Sequence, residues 1–201
     1  MTARDDSARE PRLEESAHPR PDGRLARVVV VGCSGSGKST FARALAAALG
    51  APCVHLDALY WAPQWQPRPE SEFLRLADEA TSGPAWVVDG NYRRVRPIVW
   101  PRATDVVWLN YGFPRVFGRV LARTVRRAWT GEVLYSGNRE SLRRSFLSRE
   151  SILWWTMTQF GRYRREYAAL MSDGATAHAS WHELHTPRDA EALLRSLGSG
   201  P

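Results

Sequence analysis

The run Val28-Val29-Val30-Val31 is short and continuously apolar, the pattern of a strand buried on both faces of a sheet. Good helix formers follow from Ser39 to Leu49, and Gly50 and Pro52 stop them. The same alternation then repeats. Cys53-Val54-His55-Leu56 predicts a second strand ending at Asp57. Residues 58–69 hold Tyr60, Trp61, Trp65 and three prolines, which reads as an irregular aromatic loop. Glu70 to Thr81 predicts a helix closed by Gly83-Pro84, and Ala85-Trp86-Val87-Val88 a third strand ending at Asp89-Gly90. Val95 to Trp100 reads as a short helix interrupted by Pro97, and Asp105 to Leu109 as a fourth strand. Pro114 suits the first turn of a helix reaching about Ala128. Residues 129–150 lack periodicity and are rich in Arg, Ser and Gly. Ser151 to Leu170 predicts a long, very aromatic helix, and Ser180 to Leu184 a fifth strand. Thr186 suits the N-cap of a last helix that opens at Pro187 and runs to Leu197.

Strands alternating with helices imply parallel βαβ units with right-handed crossovers. The expected fold class is therefore a three-layer α/β domain: a five-stranded parallel sheet with helices on both faces. Ligands of such sheets bind beyond the carboxyl ends of the strands. Three stretches fall there: the loop after Val31, then Asp57, then Asp89.

Composition narrows the class. A length of 201 residues fits one domain with a lid or insert, and 43% hydrophobic with 24% charged residues is ordinary for a globular chain. No apolar run is long enough for a membrane span. Residues 1–24 carry six acids, five Arg and three Pro without an apolar stretch, so they read as a disordered tail rather than a secretory signal. Two cysteines, Cys33 and Cys53, give neither a disulfide framework nor a four-Cys zinc site. The expectation is a cytoplasmic protein. His55, His182 and His185 lack metal-ligand spacing and read as structural.

Gly32-Cys33-Ser34-Gly35-Ser36-Gly37-Lys38-Ser39 matches G-x-x-x-x-G-K-[ST] without a mismatch. It follows a predicted buried strand and opens a predicted helix, which is the setting a phosphate loop requires. Its glycines let the backbone N–H groups of Gly32 to Thr40 wrap a phosphate chain. Lys38 reaches the β- and γ-phosphates, and the Ser39 hydroxyl ligates Mg²⁺. Of 28 basic residues 27 are Arg, and Lys38 is the single lysine, at the position that calls for a slim ammonium. A second lysine is what a guanine-reading N-K-x-D element needs, so ATP is favoured over GTP. Cys33 reads as a small filler of the loop.

Further elements resemble a known group. Val87-Val88-Asp89-Gly90-Asn91-Tyr92-Arg93 looks like the D-G-F-P-R element of nucleoside monophosphate kinases, and Phe117 to Arg123 like their R-x-x-x-R approach to a mobile lid. The chain thus resembles the adenylate-kinase-like P-loop kinases. His55-Leu56-Asp57, Tyr60-Trp61-x-x-x-Trp65 and Asp89-Gly90-Asn91-Tyr92 more closely resemble the bacterial FlaR-like ("DNA topology modulation") family. The likeness runs from about Arg27 to Leu197. It implies a P-loop NTPase fold, an arginine-rich lid at about 129–150, ATP and Mg²⁺ as cofactors, and phosphates met by Arg119 and Arg123 as the lid closes. It also implies an acceptor or phosphate held at Arg93. Asn91-Tyr92 departs from the Phe-Pro of the monophosphate kinases, which argues against AMP as acceptor.

Chemistry assigns the acids in outline. Asp57, beyond strand two, is placed to take a proton from an acceptor hydroxyl or to position it. Asp89 ends an apolar run, the pattern of a carboxylate that holds Mg²⁺ or its waters. Which acid serves metal and which serves acceptor stays open. Arg119 and Arg123 share a helix face. Trp61 and Trp65 lie on the loop after Asp57 and suit either stacking of a ring or packing of the loop. Trp86, Trp108 and Trp181 read as core, and Trp154 and Trp155 as helix packing.

Charge leaves two function classes. Net charge is +7, and residues 115–165 hold 12 Arg against 3 Glu, so the remainder of the chain is slightly acidic. The favoured reading is a Mg-dependent kinase that passes the ATP γ-phosphoryl group to a small-molecule or nucleotide acceptor. The alternative is a nucleotide-gated DNA-binding or topology-modulating regulator with only slow ATP hydrolysis, in which the basic segment grips nucleic acid.

Overall fold

A computed structural model describes residues 25–130 and 152–198. The expected tail at 1–24 and nearly all of the expected lid lie outside the described residues. Five strands form: β1 (Arg27–Gly32), β2 (Cys53–His55), β3 (Trp86–Asp89), β4 (Asp105–Leu109) and β5 (Ser180–Leu184). All pair in parallel, in the order β2-β3-β1-β4-β5. This is the α/β P-loop NTPase fold. The central position of β1 explains its composition, because Val28 to Val31 are at most 1% exposed.

Successive residues of β1 face opposite layers. Val28 and Val30 join a core with Phe41 and Leu45 of α1 (Lys38–Leu49) and Ala190 of α7 (Pro187–Gly198). Val29 and Val31 join the other core, with Phe73 of α3 (Glu70–Ala80) and Tyr167 of α6 (Ile152–Ser172). Gly50 closes α1 in the left-handed conformation, as glycine just past a helix end commonly does. Thr186 caps α7: its hydroxyl takes the Asp189 N–H while the Asp189 carboxylate takes the Thr186 N–H. The fourth helix face is covered by α5 (Phe113–Thr130), whose Val116 and Val120 are fully buried. No described helix is long and apolar enough to cross a membrane.

Three local expectations need correction. Strand two ends at His55, and Leu56–Tyr60 forms a short helix, α2, with Asp57 in its first turn. Leu56 turns in here because it packs onto Gly90; a Cβ on Gly90 would lie 2.9 Å from the Leu56 Cβ. The supposedly irregular loop is ordered by its own backbone. Trp61 and Pro67 form an antiparallel bridge around a single 3-10 turn at Pro63–Trp65. Pro97 does not interrupt its helix. It stands in the first turn of α4 (Arg96–Val99), where a missing N–H costs nothing, and Pro101 does the same in the 3-10 turn Trp100–Arg102. Trp86 and Trp108 are core as expected, whereas Trp154 is 51% exposed on α6.

Candidate active site

The phosphate loop sits between β1 and α1, at the carboxyl edge of the sheet. Lys38 turns back into the loop and donates to the Cys33 carbonyl at 3.2 Å. Asn91, from the segment after β3, brackets the first glycine: its Nδ2 donates to the Gly32 carbonyl at 2.6 Å and its Oδ1 faces the Gly32 N–H at 3.4 Å. A side-chain amide thus imitates a strand partner and fixes the loop entrance. Burial pushes the Cys33 thiol up, against the pull of Lys38, so it stays an uncharged filler.

Asp89 is the last residue of β3 and is 4% exposed. Its Oδ2 lies 3.1 Å from His55 Nδ1, the residue paired with it across β2 and β3. It also takes a hydrogen bond from Ser39. Burial alone would raise its pKa, but His55, Lys38 and Ser39 together hold the carboxyl below the ordinary range. A deprotonated carboxylate bonded to the phosphate-loop hydroxyl is a fitting donor pair for Mg²⁺, which takes one or two protein oxygens and completes its shell with phosphates and water. Among the described residues no group of three or more His, Cys, Asp or Glu gathers into a metal cage of its own.

Arg119 and Arg123, one turn apart on α5, both reach the phosphate loop. Arg119 Nη1 donates to the Ser36 carbonyl at 3.1 Å and its guanidinium lies over the Tyr111 ring. Arg123 Nη2 donates to Ser34 Oγ at 3.3 Å. The close fit of Gly35 makes this possible: a Cβ there would lie 2.2 Å from Val120 Cγ2.

Across the cleft stands Asp57, whose Oδ1 accepts from the Tyr92 hydroxyl at 2.6 Å. Tyr92 also takes a hydrogen bond from the Trp61 side chain. Burial and the Asp57 charge push the Tyr92 hydroxyl far up, so it remains a donor. Arg93 lines the same cleft but is bonded through Nε to Glu166 Oε1 of α6 at 2.8 Å and again through Nη2. Arg96 joins Glu166 at 2.7 Å. Burial would raise the Glu166 pKa, yet the two arginines hold it below the usual carboxylate range. Arg93 is thus tied to α6 rather than standing alone.

All the expected site residues from Ser34 to Thr40, with Asp57, Trp61, Asp89, Arg93, Arg119 and Arg123, line one cleft of about 1790 Å³. Gly32 lies just beneath it, under Leu109 and Asn91. The cleft runs from the phosphate loop to Asp57 and Trp65. Sequence reasoning gave Asn91 and Tyr92 no contact, and missed Glu166 and the partnership of His55 with Asp89. Only the register of β2 against β3 reveals the last, and no spacing rule encodes it.

No family model matches the chain, and no curated protein matches its sequence. Solved structures do share its fold. A shikimate kinase from Bacteroides thetaiotaomicron superposes with a TM-score of 0.51 at 12% identity, over 87% of this chain and 97% of that one. A shikimate kinase from Acinetobacter baumannii in complex with shikimate gives 0.51 at 17% identity, over 86% and 90%. At these identities the likeness is one of fold.

Proposed function

We propose that this chain is an ATP-dependent kinase that transfers the γ-phosphoryl group to a hydroxyl of a small-molecule acceptor. One observation carries the reading. Arg119 and Arg123 converge on the phosphate loop, and Asp57 lines the same cleft. A nucleotide binder needs only the loop. Transfer needs cations around the migrating group and a carboxylate at the acceptor.

The roles follow from the contacts. Backbone N–H groups of the loop between Ser34 and Thr40 hold the phosphates, and Lys38 exchanges the Cys33 carbonyl for phosphate oxygens. Ser39 and Asp89 would hold Mg²⁺, which would supply neutralisation of the phosphate charge. Arg119 and Arg123 stabilise the charge spread over the transferring group. Asp57 receives or orients the acceptor proton, with Tyr92 fixing the rotamer of its carboxylate. Trp61 and Arg93 belong to the acceptor side. The fold of the shikimate kinases, proteins named for a small hydroxylated substrate, supports an acceptor of that size. The narrower likeness to the FlaR-like family, and a cytoplasmic setting, belong to this same proposal.

The test is ADP release from Mg·ATP with and without a panel of sugars, nucleosides, nucleotides and short DNA, with Lys38→Ala as the blank. One small acceptor should stimulate release well above the hydrolysis rate. Stimulation by DNA alone, or by nothing, would refute the proposal.

A further inference from the structure

From the acceptor wall we infer that the substrate receiving the phosphoryl group is an uncharged, hydroxyl-bearing ring, a sugar or nucleoside. This rests on the phosphotransfer reading and specifies its substrate. The first ground is the shape of the wall. Aromatic side chains step outward from the core: Phe73 is fully buried, Tyr60 lies 5.1 Å from it, Trp61 lies 4.8 Å from Tyr60, and Trp65 lies 5.6 Å from Trp61. Each contact is edge-on, so the rings form steps rather than a closed stack. Tyr60, Trp61 and Trp65 line the cleft beside Asp57.

The second ground is how firmly this wall is held. Residues 61–67 form a pinned flap, with the Ala62 N–H bonded to the Gln66 carbonyl at 2.8 Å and the Arg68 N–H to the Tyr60 carbonyl at 2.8 Å. At its tip Gln64 and Trp65 both adopt left-handed conformations, with φ of 60° and 56°. Non-glycine residues take this conformation at a cost, and such strain gathers at ligand clamps. The strained turn is what brings Trp65 round to the cleft. Trp61 is fixed in turn by its bond to Tyr92, which holds Asp57. Ring platform and proton acceptor are therefore one connected unit.

The third ground is charge. The arginines nearest this wall already have acidic partners. Arg93 and Arg96 share Glu166, Arg94 bonds Glu70 at 2.8 Å, and Arg68 bonds Glu72 at 2.8 Å. Arg162, the remaining cleft cation on α6, bonds Gln159 one turn back on its own helix. At Arg93, Arg94 or Arg96 a carboxylate or phosphate on the acceptor would have to compete with Glu166 or Glu70, and it would lie near Asp57. An uncharged ring avoids both costs. Its apolar face covers indole, and its hydroxyl meets the Asp57 oxygen that Tyr92 does not occupy. The balanced step breaks the bond from the γ-phosphorus to its bridging oxygen and forms one to the acceptor oxygen. ADP leaves with the bridging oxygen, and the hydroxyl proton passes to Asp57.

The experiment uses the full chain with Mg·ATP and matched acceptor pairs: monosaccharides against the corresponding uronic acids, and nucleosides against their monophosphates. Each anionic member carries its charge in place of, or on, a primary hydroxyl, so the O-methyl ether at the same position is the control for the lost hydroxyl. The inference expects an uncharged member to be preferred by at least tenfold in kcat/KM. Preference for the anionic member overturns it while leaving the kinase reading intact, and stimulation by no compound overturns both. Two variants read the wall directly. Trp65→Ala, at the flap tip, should raise the acceptor KM about tenfold with kcat nearly kept, and Trp65→Tyr should restore much of it. Arg94→Ala should change that KM by less than twofold. A larger effect would make Arg94 a charge contact and refute the uncharged substrate.

Discussion

Gly35→Ala separates a loop that merely contains glycine from one that is locked against α5. The φ of Gly35 is +83°, and its new Cβ would lie 2.2 Å from Val120 Cγ2 and 2.9 Å from the Val116 carbonyl. Left-handed backbone costs an alanine about 1–2 kcal/mol. Overpacking against two buried valines adds about 1–3 kcal/mol. The sum, about 2–5 kcal/mol, is a large share of the 5–15 kcal/mol on the order of which domains are stable. At roughly 2–4 °C per kcal/mol for a domain of this size, the thermal midpoint should fall by about 4–20 °C. Relief of the clash moves α5 outward, and Arg119 and Arg123 go with it. ATP affinity by calorimetry should therefore weaken at least about tenfold, since two charge-assisted hydrogen bonds are disturbed. Gly118→Ala on the same helix is the control. Nothing lies within 4 Å of a Cβ there, so the better helix former should raise stability by about 1 kcal/mol. A Gly35→Ala protein that melts within 2 °C (roughly the effect of 0.5–1 kcal/mol) of the original would refute the packing argument.

Three further outcomes are expected. His55→Ala leaves the Asp89 carboxylate buried without its Nδ1 partner. The metal requirement should rise about 10–100-fold, measured by Mn²⁺ titration of the ATP complex under electron paramagnetic resonance, whereas an unchanged Mn²⁺ affinity would make His55 a bystander. Tyr92→Phe removes the hydrogen bond to Asp57, worth about 1.5–3 kcal/mol to a charged group. Acceptor kcat/KM should drop by roughly 10–150-fold (the same energy at 1.4 kcal/mol per decade), with the ATP KM holding steady. Glu166→Gln tests the α6 clamp through pH. Because Arg93 and Arg96 depress the folded pKa of Glu166, its stabilisation is present above the unfolded carboxylate pKa and is lost as pH falls through the folded one. The gap in urea midpoint between the original and the variant should be constant near neutrality and close on acidification. A gap that widens in acid contradicts that assignment.

The parts legible in the sequence are those fixed by local rules. Four valines in a row read as a strand buried on both faces, and a glycine-rich turn with one lysine between that strand and a helix marks the phosphate loop. Asp57, Asp89, Arg119 and Arg123 were legible as candidates because each stands at a strand end or on a helix face next to that loop. What stayed hidden depends on register and on contacts far apart in sequence. His55 meets Asp89 because β2 pairs with β3, and Asn91 meets Gly32 across 59 residues. Glu166 meets Arg93 across 73. The flap at 61–67 was hidden for a different reason. Proline and tryptophan read as irregular in any local scheme, and its order comes from one backbone bridge and two left-handed residues that tertiary packing tolerates.

The placement of arginines bears on the choice between a small phosphate ligand and nucleic acid. Seven arginines between 115 and 165 have described side chains: Arg115, Arg119, Arg123, Arg126, Arg162, Arg164 and Arg165. Four of them, Arg119, Arg123, Arg126 and Arg162, line the cleft, and Arg164 lies over the Phe160 ring. A polynucleotide is gripped by cations spread along an accessible face, at the spacing of its phosphates. Cations gathered in a concave site beside a phosphate loop instead match a compact polyanion such as the triphosphate of ATP. The two arrangements differ in their response to salt. A nucleic-acid grip loses affinity steeply as counterions are restored, with a slope set by the number of phosphates neutralised. A single triphosphate neutralises fewer cations, so its slope is shallower. The basic segment that made nucleic acid a candidate in the sequence thus places four of its seven described arginines in the cleft beside the phosphate loop.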